Sequence, residues 1–172
     1  DLAGAANDMR RARGLEPTPY ASLRPFVGSG ARGMVGAAFG ARPDDVGYEA
    51  LKQEFLDCYA ARLLENTHVF DAMALVLEVI EARGLPWGIV TNKHERFTMP
   101  IVAGLGLERR AAAIVCGDTT AHPKPHPAPL LETFFALGVP QALIRPHPWS
   151  TAAGEQQAEF DLAKELAGAG IE

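Results

Sequence analysis

The sequence predicts an α/β protein, a parallel sheet covered by helices and preceded by an all-helical segment. Three observations carry this. Between residues 69 and 137, two short apolar runs alternate with segments whose apolar residues recur every three or four positions. Strands that read as near-continuous apolar runs belong to parallel sheets buried on both faces. Residues 1–68, by contrast, show helical spacing and no strand pattern. The boundary between the helical part, 1–68, and the α/β part, 69–172, therefore falls near residue 68.

Asp1 to Arg13 is rich in alanine and arginine and stops at Gly14, a residue that ends helices. Gly28-Ser29-Gly30 reads as a flexible turn, and Ala31 to Phe39 as the helix after it. Pro43-Asp44-Asp45 opens a helix over about 46–64, whose face carries Leu51, Phe55, Cys58, Tyr59 and Arg62. Met73, Val76, Leu77 and Ile80 share one helical face, ended by Gly84. Trp87 to Val90 reads as a buried strand. Phe97, Ile101 and Leu105 line the next helix, which ends near Gly104 or Gly106. Ala111 to Cys116 is the second strand, and Pro127 to Leu137 is helical again. From about 138 the pattern becomes atypical: Gln141 to Arg145 is a weak strand, Pro146-His147-Pro148 breaks it, and Thr151 to Gly168 is a helix.

The chain has 172 residues, 48% hydrophobic and 22% charged, with a net charge of −5. This is the composition of a folded domain. The negative balance argues against nucleic acid as a partner and against an anionic membrane surface. No apolar run has the length needed to span a bilayer. Cys58 and Cys116 lie far apart and read as two buried reduced thiols, which points to the cytoplasm.

Chemistry concentrates at two places. The first strand ends in Thr91-Asn92-Lys93, a hydroxyl, an amide and an ammonium. About thirty residues later, Lys124 stands between Pro123 and Pro125 in a stiff loop. Strand-end hydroxyls routinely cap the following helix, and loop lysines are routinely solvated. Here the hydroxyl and the proline-restrained lysine together favour phosphate contact. Lys93 reads as a solvated helix-start residue rather than as a substrate contact. Arg32 is either a helix-surface residue or a ligand for a carboxylate. His122 and His126 sit four apart, but in a proline-broken loop, which disfavours a metal site. Asp118 reads as a turn residue before Thr119-Thr120 rather than as a metal-proximal carboxylate.

Residues 1–137 resemble phosphatases of the haloacid dehalogenase superfamily with a small helical cap, of the phosphoglycolate phosphatase type. The likeness rests on the Gly28-Ser29-Gly30-Ala31-Arg32-Gly33 loop, on Val90-Thr91-Asn92-Lys93 and on Lys124-Pro125-His126-Pro127. The segment from Ala31 to Tyr59 resembles the N-acetylmuramic acid 6-phosphate branch about as well. The resemblance implies an incomplete Rossmann-like parallel sheet (a HAD-like core) with an α-helical cap domain. It implies a phosphomonoester hydrolase acting on a small phosphorylated metabolite such as 2-phosphoglycolate. Thr91 and Lys124 take the family's second and third catalytic motifs, and Asn92, Arg32 and Lys93 the substrate contacts. Catalysis in such enzymes runs through an aspartyl-phosphate with Mg²⁺ at the site.

The departures are as informative. No Asp-x-Asp-x-Thr occurs in the chain, and Gln141-Ala142-Leu143-Ile144-Arg145-Pro146 stands where the family carries an acidic pair. The attacking carboxylate and the metal ligands are thus expected outside this chain, and the chain itself is expected to be inactive. A first strand is expected to be missing from the middle of the sheet. Its absence leaves backbone groups that self-association, a partner chain or residues 141–145 would have to pair. A non-catalytic anion-binding or structural relative is the competing reading.

Overall fold

The computed structural model describes residues 1–140. The strand expected at Gln141–Arg145 and the helix expected at Thr151–Gly168 lie outside them. The chain divides into two compact units. The first is Asp1–Phe70 with Met99–Leu105, and the second is Asp71–Thr98 with the described residues from Gly106 on.

The first unit is helical. Its elements are α1 (Leu2–Ala12), α2 (Tyr20–Leu23), a 3-10 helix (Arg24–Ser29), α3 (Gly30–Phe39) and α4 (Tyr48–Ala60). α1 packs on both α3 and α4. It presents Ala3, Ala5, Ala6 and Met9 inward, so the neighbouring backbones come close. Met34, Val35 and Ala38 of α3 and Phe55 and Tyr59 of α4 complete the core, with Leu23 beneath. Full burial of one such side chain stabilises by roughly 1.5–3 kcal/mol. The expected turn at Gly28-Ser29-Gly30 is the end of the 3-10 helix, and Gly30 follows with φ +62°. α3 ends at Gly40, whose φ of +69° lets its N–H return to the Gly36 carbonyl at 2.8 Å.

The helix expected over 46–64 is shorter, Tyr48–Ala60. The Asp1 carboxylate accounts for the early stop. It accepts the Asn66 N–H at 3.0 Å and the Thr67 hydroxyl at 2.5 Å, drawing the chain back to the start of α1. Arg13 holds Glu54 through two nitrogens at 2.8 and 2.6 Å, tying α1 to α4. That fork keeps the Glu54 carboxyl below its usual range and raises Arg13.

The second unit is α/β. Its elements are α5 (Asp71–Ala82), β1 (Gly88–Val90), α6 (Glu95–Gly104, continuing into the first unit), β2 (Ala113–Val115) and α7 (Ala128–Ala136). β1 and β2 are parallel, with Gly88, Ile89 and Val90 opposite Ala113, Ile114 and Val115. Both strands are shorter than expected. Ladder-like bonds nevertheless run beyond them, Ala112 N–H to the Trp87 carbonyl at 2.8 Å and Thr91 N–H to the Val115 carbonyl at 2.9 Å. α7 lies on both strands. Thr133 of α7 crowds Gly88, where an added Cβ would sit 2.9 Å from its methyl.

α5 departs from expectation. Of the face Met73, Val76, Leu77 and Ile80, only Leu77 is buried. Met73 and Val76 are exposed, as are Leu75 and Val79 on the other side. A helix apolar nearly all round ordinarily lies inside a structure. Among the described residues the sheet has two strands, so each strand has one edge without a strand partner. No helix among the described residues is long and apolar enough to cross a membrane.

Candidate functional site

Both strands of the parallel pair end on the same side, and the two chemistry-bearing segments meet there. β1 delivers Thr91 one residue past its last rung. The Thr91 hydroxyl oxygen accepts the Lys93 N–H at 3.1 Å. Accepting that bond leaves the hydroxyl proton available for donation.

Lys124 is brought to the same place. Its ammonium donates to the Val90 carbonyl at 2.6 Å, one peptide unit from Thr91. Its backbone is held by Asn92: the side-chain Nδ2 donates to the Lys124 carbonyl at 2.8 Å, and Oδ1 accepts the Lys124 N–H at 2.9 Å. Thr91, Asn92 and Lys124 are therefore one cluster, although 32 residues separate Asn92 from Lys124.

The cluster is braced from β2. The Gly117 N–H donates to the Lys93 carbonyl at 2.9 Å. Gly117 is pressed so close that an added Cβ would sit 2.3 Å from the Asn92 carbonyl oxygen. Only a residue without a side chain permits that approach. Asp118 is more than a turn residue. It accepts the Glu95 N–H at the start of α6 at 2.8 Å, and its other oxygen lies 3.5 Å from His94 Nδ1. A carboxylate at a helix N-terminus also suits the helix dipole.

Lys93 is half-buried, which corrects the expectation of a fully solvated lysine. Burial pushes its ammonium below the usual lysine range, because leaving water disfavours the charged form. Arg32 is exposed on α3 and belongs to the first unit. The His122 and His126 rings lie with centres 4.5 Å apart and planes inclined at 41°, and His126 Nδ1 accepts the Ala128 N–H at 3.2 Å. Cys116 is buried and Cys58 half-buried, and both are free thiols.

The sequence reading missed the roles of Gly117, Asp118 and the Asn92 side chain. The signal for the first two was present, a Gly-Asp pair just after an apolar run. Their partners lie more than twenty residues upstream, where no local pattern reveals them.

The described residues hold no group of three or more His, Cys, Asp or Glu side chains able to hold a metal ion. Asp118, the carboxylate of the cluster, is already engaged by the Glu95 amide. The described residues therefore do not fit the Mg²⁺ that the family resemblance implies.

Residues 2–143 match the family model described as haloacid dehalogenase-like hydrolase. The chain is 41% identical over 139 residues to an N-acetylmuramic acid 6-phosphate phosphatase of Pseudomonas aeruginosa. It is 42% identical over 139 residues to a phosphoglycolate phosphatase of Xanthomonas campestris pv. campestris. Each match covers 81% of this chain and 62% of the relative, so the chain spans less than two thirds of their length. In fold it is similar to the crystal structure of a predicted phosphoglycolate phosphatase from Haemophilus somnus. The TM-score there is 0.67 at 22% identity, covering 82% of this chain and 66% of that one. It is also similar to a hydrolase from Streptococcus pneumoniae, with a TM-score of 0.57 at 14% identity, covering 81% and 70%.

Proposed function

The chain belongs to the haloacid dehalogenase-like hydrolase family, and from that premise we propose that it carries the phosphate-binding half of a phosphomonoesterase site. The observation that supports this best is the placement of the Lys124 ammonium at the Val90 carbonyl, one peptide unit from Thr91. A hydroxyl donor and a cation at one strand end suit a tetrahedral dianion, which accepts charge-assisted hydrogen bonds at every oxygen. Thr91 donates to one phosphoryl oxygen, and Lys124 neutralises charge on the group. Lys93, with its lowered ammonium, stands one residue further along the same loop as a second cation for the substrate.

The substrate we propose is a small phosphorylated metabolite, 2-phosphoglycolate by the slightly higher of two nearly equal identities. N-acetylmuramic acid 6-phosphate is the alternative. Arg32 is the residue we assign to the substrate carboxylate, because a guanidinium meets a carboxylate through two parallel bonds. Residues 1–68 would then serve as the cap that selects the substrate. The free thiols Cys58 and Cys116 support a cytoplasmic setting. The 172 residues contain no Asp-x-Asp-x-Thr, so we propose that this polypeptide binds phosphate and does not turn an ester over. Mg²⁺ would be a cofactor of the complete site rather than of residues 1–140.

A second reading is favoured by α5 and the open edges of the β1–β2 pair. Burying the apolar surface of Met73, Leu75, Val76 and Val79 in a second copy of the chain would cover an exposed helix and pair an edge strand.

Titration of the chain with inorganic phosphate, read by amide chemical shifts, tests the first reading. Shifts at Thr91, Asn92 and Lys124 support it, and a titration with no change there contradicts it. Mg²⁺-dependent release of phosphate from 2-phosphoglycolate by this polypeptide contradicts the claim of binding without turnover.

A further inference from the structure

We propose that the Asn92 side chain is a positioning residue that acts on the site only through Lys124. The inference rests on the phosphate-site reading and adds to it the device that aims its cation.

Lys124 has an unusual backbone problem. Its neighbours Pro123 and Pro125 have no N–H. A turn closed by either proline's amide is therefore unavailable, and Lys124's own N–H and carbonyl need partners from elsewhere. Both find one in the same side chain. Asn92 Oδ1 accepts the Lys124 N–H at 2.9 Å, and Asn92 Nδ2 donates to the Lys124 carbonyl at 2.8 Å. The carboxamide thus imitates a strand partner, offering one donor and one acceptor side by side. This chemistry is specific. Aspartate has no donor, serine and threonine have a single oxygen, and glutamine is one methylene longer.

The consequence is directional. With N–H and carbonyl both fixed, the Lys124 Cα and the root of its side chain are fixed, and the ammonium reaches the Val90 carbonyl at 2.6 Å. The far end of the clamp is rigid too, because Gly117 packs against the Asn92 backbone and bonds to Lys93. Asn92 Oδ1 and one Nδ2 hydrogen are engaged in the clamp, so the amide has little left to offer a substrate. Its effect on anion binding is transmitted through Lys124.

The test is a double-mutant cycle on the full chain with inorganic phosphate as the probe, alongside hydrogen exchange at the Lys124 amide. Asn92→Ala removes both hydrogen bonds of the clamp and should weaken phosphate binding on the order of tenfold. In a Lys124→Ala background the same substitution should change binding by less than about twofold, because the group it positions is gone. The Lys124 N–H should exchange much faster in Asn92→Ala. It should stay protected in Asn92→Asp, which keeps the acceptor and serves as the second variant if Asn92→Ala does not fold. An equal loss from Asn92→Ala in both backgrounds means that Asn92 touches the anion itself, and overturns the proposal. Unchanged exchange at Lys124 in Asn92→Ala overturns it whatever the phosphate data show. If the unmodified chain binds no phosphate, the phosphate-site reading falls, and the exchange measurement decides the clamp by itself.

Discussion

Replacing Gly117 by alanine should damage stability and phosphate binding together. The new methyl would meet the Asn92 carbonyl oxygen at 2.3 Å, its carbon at 2.7 Å and its Cα at 3.1 Å. All three are backbone atoms, so no rotamer change relieves the contact. Restoring ordinary van der Waals separation requires the two loops to part by about 1 Å. Overpacking of this kind costs about 1–3 kcal/mol. Parting the loops also stretches the Gly117–Lys93 bond at 2.9 Å and the paired bonds between Asn92 and Lys124. Losing one of them adds about 1 kcal/mol. A total of about 2–4 kcal/mol corresponds to a melting point lower by roughly 4–16 °C for a chain of this size. Thermal denaturation followed by circular dichroism measures this, and phosphate titration below the transition measures the site. Gly36→Ala is the control. Gly36 lies within α3 and the nearest contact of an added methyl, the Ala41 carbonyl oxygen beyond the helix, is 3.6 Å away, so it should leave stability equal or raise it by up to about 1 kcal/mol. A Gly117→Ala chain that melts within 2 °C of the parent and binds phosphate equally well, on the order of no change at all, would refute the claim that the two loops are locked together.

Thr91→Ala should weaken phosphate about tenfold or more, since a hydrogen bond to a charged group contributes about 1.5–3 kcal/mol, while Thr91→Ser should bind nearly as the parent does. Equal affinities for all three would remove Thr91 from the site. The Glu54 carboxyl lies below its ordinary value of 4.5 because Arg13 bonds to it. Its stabilising contribution is therefore complete above the unfolded value and is lost as pH falls through the lower folded one. Urea denaturation should show Glu54→Gln less stable than the parent near neutrality, with the gap closing in acid; a gap independent of pH would contradict the linkage. Both partners are substantially exposed, so the effect is small. Leu75→Glu with Val79→Glu should shift any self-associated form to monomer in analytical ultracentrifugation, and an unchanged distribution would exclude α5 from the contact.

The helices α1, α3 and α4 were legible because their signals are local, whereas α2 and the 3-10 helix were not foreseen. The alanine-rich run of α1 with its stop at Gly14 and the apolar stripe of α4 are each confined to a few turns. The strands were legible as apolar runs, but their ends were not. A rung at Gly88 or Ala113 exists only because the other strand is there. The early end of α4 was hidden for the same reason, since Asp1 reaches Asn66 and Thr67 across the unit. Within the site, Thr91 and Lys124 could be picked out by residue type and position at a strand end and in a proline-restrained loop. Their bracing by Gly117 and Asp118 could not, because it links residues more than twenty positions apart. The solvated reading of Lys93 failed because burial at a strand end depends on what packs over it. The apolar stripe on α5 was correctly seen as a stripe, but no pattern within a helix states whether a neighbour is present to cover it.

A crystal structure of the chain with a bound oxyanion such as phosphate or tungstate tests the central claim most directly. The account predicts one anion at the end of β1, within hydrogen-bonding distance of both the Thr91 hydroxyl and the Lys124 ammonium. An anion bound elsewhere, or one that meets only one of these two groups, would contradict it.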